Sequence, residues 1–119
     1  MSNSLPAAGL SLAVEAYSTF AVVRAQGVIT AATVADFEVK INAALEGRRS
    51  LVLDFTKVSF VSSAGMGVLV VAHGLAKQQG GEIILVGVDH SIKDTFDLFD
   101  FGSLFRSFDT IHEAIAVLL

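Results

Sequence analysis

The residues best suited to chemistry are two adjacent hydroxyls, Ser62 and Ser63, which follow an apolar run and precede a stretch of small residues. The whole segment reads Val58-Ser59-Phe60-Val61-Ser62-Ser63-Ala64-Gly65-Met66-Gly67. If a helix begins at these serines, its first backbone N–H groups have no acceptor within the helix, and its dipole places partial positive charge there. A phosphate group would be stabilised at such a position.

Three interpretations of these serines fit the residues. The first is structural, since either hydroxyl can cap the helix. The second is a nucleotide phosphate held by Gly65 and Gly67, although the segment has neither the Gly-Lys pair of a P-loop nor a full G-x-G-x-x-G pattern. The third is a phosphate bonded covalently to one serine, which adds about −1.5 to −2 charges. The residues alone leave all three open.

The remaining polar residues show no spacing typical of a catalytic or metal site. The histidines are far apart in the sequence: His73, His90 and His112. They match no metal-ligand pattern, so we expect a structural or surface role for them. Asp94, Asp97 and Asp100 recur every three residues and predict a solvated helix face, because the Gly turn and bidentate Glu of a calcium loop are missing. We therefore expect no catalytic residue and no metal ligand among them, and no cofactor bound by them.

Composition narrows the class of protein. At 119 residues the chain suits one core, because two cores would each fall near the size at which burial barely offsets chain entropy. Hydrophobic residues make up 53% of the chain, which indicates a folded domain, yet no apolar run approaches the ~18 residues of a membrane span. There is no cysteine, hence no disulfide framework. The net charge is −4 without a basic cluster, so nucleic-acid binding is not expected.

The amino-terminal segment, Met1–Gly9, is the only stretch that we expect to be loose. It lacks the basic start and the continuous apolar stretch of a secretory signal. We therefore expect a cytoplasmic protein without membrane insertion, in which residues 10–119 form a single domain.

The first half of the chain predicts the elements that lead to the serines. Large apolar residues recur at every second position as Leu10, Leu12 and Val14, which predicts a strand paired in an antiparallel hairpin with Phe20–Ala25. Thr30 stands where an N-cap is expected, before a helix that ends at Gly47. The apolar face of this helix comprises Val34, Phe37, Ile41, Ala44 and Leu45. Leu51–Phe55 is a short apolar run, typical of a strand covered on both faces.

The second half continues the alternation of helices and strands. Ser63–Gln79 contains β-branched residues, which favour a strand, and glycines, which are poor helix formers, but its length and its glycine stop favour a helix. After it we expect a strand at Glu82–Val86, a helix at Ser91–Phe99, an edge strand within Ser103–Phe108 and a helix at Ile111–Leu118. The pattern predicts an α/β domain with a mixed sheet of about four to five strands, an amino-terminal hairpin and about four helices.

Phenylalanines are concentrated in and after the predicted third helix, at positions 96, 99, 101, 105 and 108. An aromatic platform for nucleic acid would need positive charge nearby, and this segment carries little. We therefore expect these rings to pack in the core or to line a groove for a partner.

The segment Phe60–Gly67 resembles the signature of STAS domains, especially of the anti-sigma-factor antagonists. That signature is an apolar residue, Asp or Ser, the phosphorylatable Ser, a small residue, Gly and an apolar residue. Other stretches that resemble the family are Gly27–Thr33 at its first strand-to-helix junction, Leu51–Phe55 at its central strand, Gly80–Gly87 around its fourth strand and Ile92–Ala114 in its closing helices. The resemblance covers about 105 residues and implies the STAS fold.

The resemblance also implies a role for each residue that matches the signature. Ser63 would accept a phosphoryl group from a partner serine kinase that is also the anti-sigma factor. The kinase would supply ATP, magnesium and the catalytic groups, so the chain itself would not be an enzyme. The implied partner-binding residues are Thr30, Ser62, Ser63, Ala64, Gly65, Met66 and Gly67. Thr30 and Ser62 stand where many members have Asp, although Ser also occurs in the family at the position of Ser62.

Partner switching is the function that this resemblance implies. The unphosphorylated chain would bind the anti-sigma factor and release its target, phosphorylation would end binding, and a serine phosphatase would restore it. A weak homodimer stays open. One alternative is a constitutive STAS scaffold or subunit of a stressosome-like or lipid-transport complex, which the high apolar content and the missing acidic residues favour. Another is a small nucleotide-binding protein or enzyme.

Overall fold

The computed structural model describes residues 9–119, so the predicted loose segment, except Gly9, lies outside the described residues. The elements in chain order are β1 (Leu10–Ala16), β2 (Phe20–Ile29), α1 (Val34–Leu45), β3 (Ser50–Val61), α2 (Ser63–Gln78), β4 (Ile83–Val86), α3 (His90–Leu98), β5 (Arg106–Phe108) and α4 (Ile111–Ala116). No helix in these residues is long and apolar enough to cross a membrane.

The strands form one five-stranded mixed sheet in the order β1-β2-β3-β4-β5. β1 and β2 are antiparallel, because a connection of three residues reverses the chain and the Tyr17 backbone N–H donates to the Phe20 carbonyl (2.9 Å). The other neighbours are parallel, and a helix connects each pair, as parallel strands require. The predicted α/β class, the amino-terminal hairpin and the four helices are confirmed.

Both faces of the sheet are covered by helices, which explains the apolar run in β3. Leu51, Leu53 and Phe55 share a core cluster with buried residues of α1, α2 and α3. Val52, between them in sequence, belongs to a smaller cluster on the opposite face with Ala114 of α4. Because successive side chains of a strand point to opposite faces, a strand between two layers of helices is apolar at consecutive positions, as Leu51, Val52 and Leu53 are. Asp54 interrupts the run and is only partly buried.

β3 is longer than the predicted strand and continues to Val61. Two register shifts against β2 interrupt its pairing, so the buried residues after Phe55 are Val58 and Val61, three residues apart. The apolar residues in this half of β3 therefore do not recur at every second position, since each irregularity inserts an extra residue into the strand. This hidden half of β3 carries the chain to the two serines.

The predicted N-cap at Thr30 is wrong by three residues, because α1 begins at Val34 and Thr33 occupies the cap position. Thr30 lies instead in the turn before the helix, where its hydroxyl accepts from the Ala32 N–H (3.1 Å). Its own N–H donates to the hydroxyl of the buried Thr33 (2.9 Å), which donates to the Val28 carbonyl (2.9 Å). These bonds fix the turn that follows β2.

Candidate functional site

Parallel pairing of β2 and β3 brings the two predicted contact segments together at one edge of the sheet. Ile29 pairs with Val61, so Thr30 and Ser62 are the first residues after paired strand ends. The Ser62 N–H donates to the Ile29 carbonyl (2.8 Å) and extends this pairing into the turn. The strand-to-helix junctions that begin α1 and α2 are therefore neighbours.

The two serines have different surroundings. Ser62 has extended backbone angles at the N-cap of α2, and its hydroxyl accepts from the Gly65 N–H (3.2 Å). Ser63 is the first residue of the helix and is exposed. Its hydroxyl forms no hydrogen bond with another described residue. The structural interpretation of the serine pair thus applies to Ser62, and the Ser63 hydroxyl is available to another molecule.

The two glycines of the signature also differ. A Cβ at the buried Gly65 would lie 2.7 Å from Ile29 Cγ2 and 3.0 Å from Val61 Cγ1, so only glycine lets α2 start this close to the sheet. A Cβ at the exposed Gly67 would have no atom within 4 Å. Gly65 therefore serves the fold, whereas nothing inside the described chain requires glycine at position 67.

Two shallow hollows lie beside Ser63. The first lies between the end of β3 and α3 and is lined by residues that include Phe60, Ser63, Ser91, Thr95 and Phe99. The second lies over the start of α2 and is lined by Ser63, Met66, Gly67, Phe99 and Phe101. Phe99, 55% exposed, borders both. No charged side chain lines either hollow within residues 9–119.

The part that α3 and its following loop contribute to this site was not predicted from the sequence. The available signal was the surplus of phenylalanines, for which a partner groove was one of two interpretations. Phe96 and Phe105 are buried in the core, whereas Phe99 stays exposed next to Ser63. Which ring belongs to which set depends on how α3 packs beside α2, and this packing is not local in sequence.

The start of α3 carries a second hydroxyl close to the first hollow. The Asp89 carboxylate accepts from the Ser91 N–H and the Ser91 hydroxyl, both at 2.7 Å. These bonds, the hydroxyl first, lower the pKa of Asp89. Ser91 is thus bonded within its own cap, unlike Ser63.

The histidines and the aspartate triplet lie outside the site. His73 is buried, its Nδ1 accepts from the Ile83 N–H (3.2 Å), and its ring packs edge-on against Phe105 with centroids 4.9 Å apart. Burial and, less strongly, Lys77 lower the pKa of His73, so it is held neutral. The exposed remainder comprises His90, His112, Asp94, Asp97 and Asp100. Within residues 9–119 no group of three such side chains could hold a metal ion.

Comparison with known families decides what this fold is. The model of the STAS domain family matches residues 11–114, which is most of the chain. The chain belongs to the STAS domain family. This STAS domain is 30% identical over 81 residues to BtrV of Bordetella bronchiseptica, provisionally named an anti-sigma factor antagonist. The aligned part covers 67% of this chain and 70% of BtrV.

Solved structures show the same STAS fold. An anti-sigma factor antagonist from Mycobacterium paratuberculosis superposes with a TM-score of 0.82 at 21% identity, covering 95% of this chain and 97% of that one. Unphosphorylated SpoIIAA superposes with a TM-score of 0.80 at 21% identity, covering 91% and 96%. The phosphorylated form of Bacillus SpoIIAA gives 0.73 at 20% identity, covering 92% and 100%. The fold is thus confirmed, and the roles of single residues in this STAS domain stay predictions.

Proposed function

We propose that this STAS domain is an anti-sigma-factor antagonist that acts by partner switching. When Ser63 is unphosphorylated, the domain binds a serine-kinase anti-sigma factor and releases the target of that factor. When Ser63 is phosphorylated, binding ends. The contact surface is formed by the segment from Ser62 to Gly67 together with Thr30: Ser62, Ser63, Ala64 and Gly67 are accessible, and the buried Gly65 and Met66 support them from beneath. The observation that carries this proposal is the exposed Ser63 hydroxyl at the first position of α2, next to a cap formed by Ser62.

The chemistry of the switch needs only one group from this chain. The Ser63 oxygen attacks the γ-phosphorus of ATP held by the kinase, a new O–P bond forms, and the bond from that phosphorus to ADP breaks. The hydroxyl proton passes to a base of the kinase. Ser62 is a poorer acceptor, because its half-buried hydroxyl already accepts from the Gly65 N–H. The domain is thus a substrate and a binding partner, with no turnover of its own.

The surroundings of Ser63 explain why a phosphate would change binding and leave the fold intact. It adds about −1.5 to −2 charges next to hollows that no charged side chain of residues 9–119 lines, so a partner covering it must desolvate the phosphate without a cation from either hollow. The amino-terminal end of α2 stabilises the same charge locally. A swing from 1:99 to 99:1 needs about 5.5 kcal/mol of differential affinity. The desolvation of one phosphate contributes a large part of that.

Two of the related proteins support this proposal. BtrV, the relative at 30% identity, carries the name of an anti-sigma factor antagonist. SpoIIAA has been solved in both unphosphorylated and phosphorylated forms, and this chain superposes on both. Phosphorylation of SpoIIAA is therefore compatible with the fold that it shares with this chain, which supports the proposal.

A constitutive scaffold or subunit is the second candidate, because large apolar side chains are exposed far along the helices. Val39 of α1 is 69% exposed and Val71 of α2 is 63% exposed. Permanent burial in an assembly would cover such side chains. This candidate predicts stable co-purification with a large complex and no phosphate on Ser63.

Substitution of each serine tests partner switching. The probe is each anti-sigma-factor kinase of the source organism, purified and mixed with the domain and ATP. We expect Ser63→Ala to bind a kinase and to stay unphosphorylated in phosphate-retarding electrophoresis. We expect Ser63→Glu to remain folded and to bind at least about tenfold more weakly.

Ser62→Ala is the matched control, since it removes the neighbouring hydroxyl and leaves the acceptor in place. This variant should still be phosphorylated. If Ser63→Ala and Ser63→Glu both bind like the parent, or if Ser63→Ala is phosphorylated as fast as the parent, partner switching through Ser63 is wrong.

A further inference from the structure

We propose that the second hollow, between the start of α2 and the loop after α3, is an anchor pocket that receives one apolar side chain of the partner. The pocket is lined by Ser63, Met66, Gly67, Phe99 and Phe101. The proposal rests on the proposed function, because the occupant is the same serine-kinase anti-sigma factor. It adds Phe99 and Phe101 to the contact residues predicted from the signature and assigns an apolar side chain of the partner to the space beside them.

The walls of the anchor pocket suit an apolar group. The Phe99 and Phe101 rings form one side, tilted by 31° with centroids 6.1 Å apart. Met66, only 2% exposed, belongs to the lining through the small part of it that the core leaves uncovered. The Ser63 hydroxyl is the only polar side-chain group of the lining. An aliphatic side chain placed here would cover the exposed Phe99 ring, and the burial of both apolar surfaces would favour the complex.

Gly67 keeps the other side of the anchor pocket open. Glycine is a poor helix former, and no contact within the described chain requires it at this position, because a Cβ here would meet no atom within 4 Å. Gly65, two residues earlier, shows what a packing requirement looks like, since its Cβ would collide with Ile29. The bare backbone at Gly67 leaves room for a side chain from outside the molecule.

The position of Ser63 identifies the occupant. Ser63 borders the anchor pocket, so a body that fills the pocket also covers the phosphoacceptor hydroxyl. A second copy of this chain bound there would hide Ser63 from the kinase. The kinase itself must reach that hydroxyl, so its surface can supply the anchor in the same encounter. A phosphate on Ser63 then lies at the rim of an apolar contact, where its desolvation is costly.

Two pairs of variants test the anchor pocket. Gly67→Leu places an apolar side chain in it, and Gly74→Leu is its matched control. Gly74 is also exposed on α2 with no atom within 4 Å of a Cβ, and lies about 10 Å further along the axis. Phe99→Ala removes one wall. Its control is Leu98→Ala, the neighbouring residue, which is 82% exposed and lies outside the lining.

The readout is the Kd for the purified kinase that phosphorylates Ser63, measured by calorimetry with folding checked by circular dichroism. We expect Gly67→Leu and Phe99→Ala to weaken binding about tenfold or more, since each removes the burial of one apolar side chain. Gly74→Leu and Leu98→Ala should stay within about twofold of the parent.

The outcomes separate the anchor pocket from the proposed function. If the parent binds and is phosphorylated while each variant binds like its control, the pocket is wrong and partner switching stands. If the parent binds no kinase and Ser63 is not phosphorylated, both proposals fail. If Gly67→Leu abolishes self-association in sedimentation without changing kinase binding, the occupant is a second copy and the proposal is overturned.

Discussion

At its carboxyl-terminal end α2 leads into a turn whose polar groups bond within the chain, whereas at its amino-terminal end an exposed hydroxyl and two hollows face outward. In the turn, the Ser50 hydroxyl accepts from the Glu82 N–H (3.0 Å) and the Ile83 N–H donates to His73 Nδ1 (3.2 Å). The Glu82 carboxylate accepts from two nitrogens of Arg106. Gly81 packs directly against the backbone of Arg49.

The amino-terminal end of the same helix has a different composition. From Ser63 to Ala76 no residue carries a Lys, Arg, Asp or Glu side chain. Ser63 is exposed, and a Cβ added at Gly67 would have no atom of the described residues within 4 Å. Among the described residues, the polar contacts of this end are confined to the Ser62 cap and the Ile29 carbonyl.

This difference teaches where substitutions should act. Groups that bond within the molecule stabilise the fold, so their loss lowers the free energy of unfolding. Groups that bond to nothing inside contribute little to the fold, so their loss should be visible only when a partner is present. The two ends of α2 therefore separate stability from binding on one element.

Gly81→Ala should cause the largest loss of stability. Its Cβ would lie 2.0 Å from the Arg49 carbonyl oxygen and 2.4 Å from its carbonyl carbon, which are backbone atoms that cannot swing aside. We expect the free energy of unfolding to fall by about 3 kcal/mol, the upper end of the usual cost of overpacking. Urea unfolding followed by circular dichroism measures it.

Gly67→Ala is the matched change at the other end of the helix. Alanine there meets no atom within 4 Å and improves the helix propensity, so stability should rise by up to about 1 kcal/mol. Equal effects of the two substitutions would contradict the division between the ends of α2.

His73 should make the stability depend on pH in the mildly acidic range. Its pKa in the folded state is lowered from the ordinary value of 6.5, mainly by burial and further by Lys77, while Glu82 opposes the shift. Below pH 6.5 the unfolded chain therefore binds more protons than the folded one at this position, and stability falls as pH falls. The decline continues until the pH passes below the pKa of the folded state.

The slope that His73 contributes cannot exceed about 1.4 kcal/mol per pH unit, which is the value for one proton. His73→Gln keeps an acceptor for the Ile83 N–H and removes the titration, so its stability should change less between pH 6.5 and 5. Unfolding free energies at several pH values measure this difference. Parallel pH profiles for parent and variant would show that His73 does not titrate as its burial requires.

The fold was largely predictable because its local signals agree with the tertiary structure. Leu10, Leu12 and Val14 recur at every second position within β1, and the apolar run Leu51–Phe55 lies between two layers of helices. Even α2, rich in glycine and β-branched residues, was predicted correctly from its length and its glycine stop. These features depend on residues close in sequence, so they can be predicted from periodicity and capping rules.

The details of the site depend on contacts between distant segments, and these were not predictable. The sequence could not tell which serine caps α2, because that depends on the pairing of Ile29 with Val61. It could not place Phe99 beside Ser63, because that depends on how α3 packs. The irregular pairing that lengthens β3 also leaves no period-two signal. Each of these three features depends on strand register or on the packing of elements that are distant in sequence.

Substitution of the two serines should give a smaller contrast in stability. Ser62→Ala removes the acceptor for the Gly65 N–H at the start of α2 and should lower the free energy of unfolding by about 1 kcal/mol. Ser63→Ala removes a hydroxyl that bonds to no described residue, so its effect should stay within about 0.5 kcal/mol. Thermal unfolding of both variants checks this. If Ser63→Ala lowered the free energy of unfolding more than Ser62→Ala, the assignment of the cap to Ser62 would be wrong.

The smallest effect is expected for the ion pair between Glu82 and Arg106. Arg106 Nε lies 2.9 Å from Glu82 Oε1, and Arg106 Nη2 donates to Glu82 Oε2. The Arg106 side chain is nevertheless half exposed. Arg106→Met keeps the apolar stem and should cost about 0.5–1 kcal/mol, somewhat above the more exposed pair of Arg24 with Glu15.

Ionic strength separates charge from packing at this pair. In 1 M salt the screening length falls to about 3 Å, so the difference between Arg106→Met and the parent should shrink. A cost that is unchanged by salt would mean that Arg106 contributes through its stem rather than its charge. The pair lies near the carboxyl-terminal end of α2, away from Ser63, so Arg106→Met should bind the kinase like the parent. A large loss of binding would mean that the contact surface extends along the whole of α2.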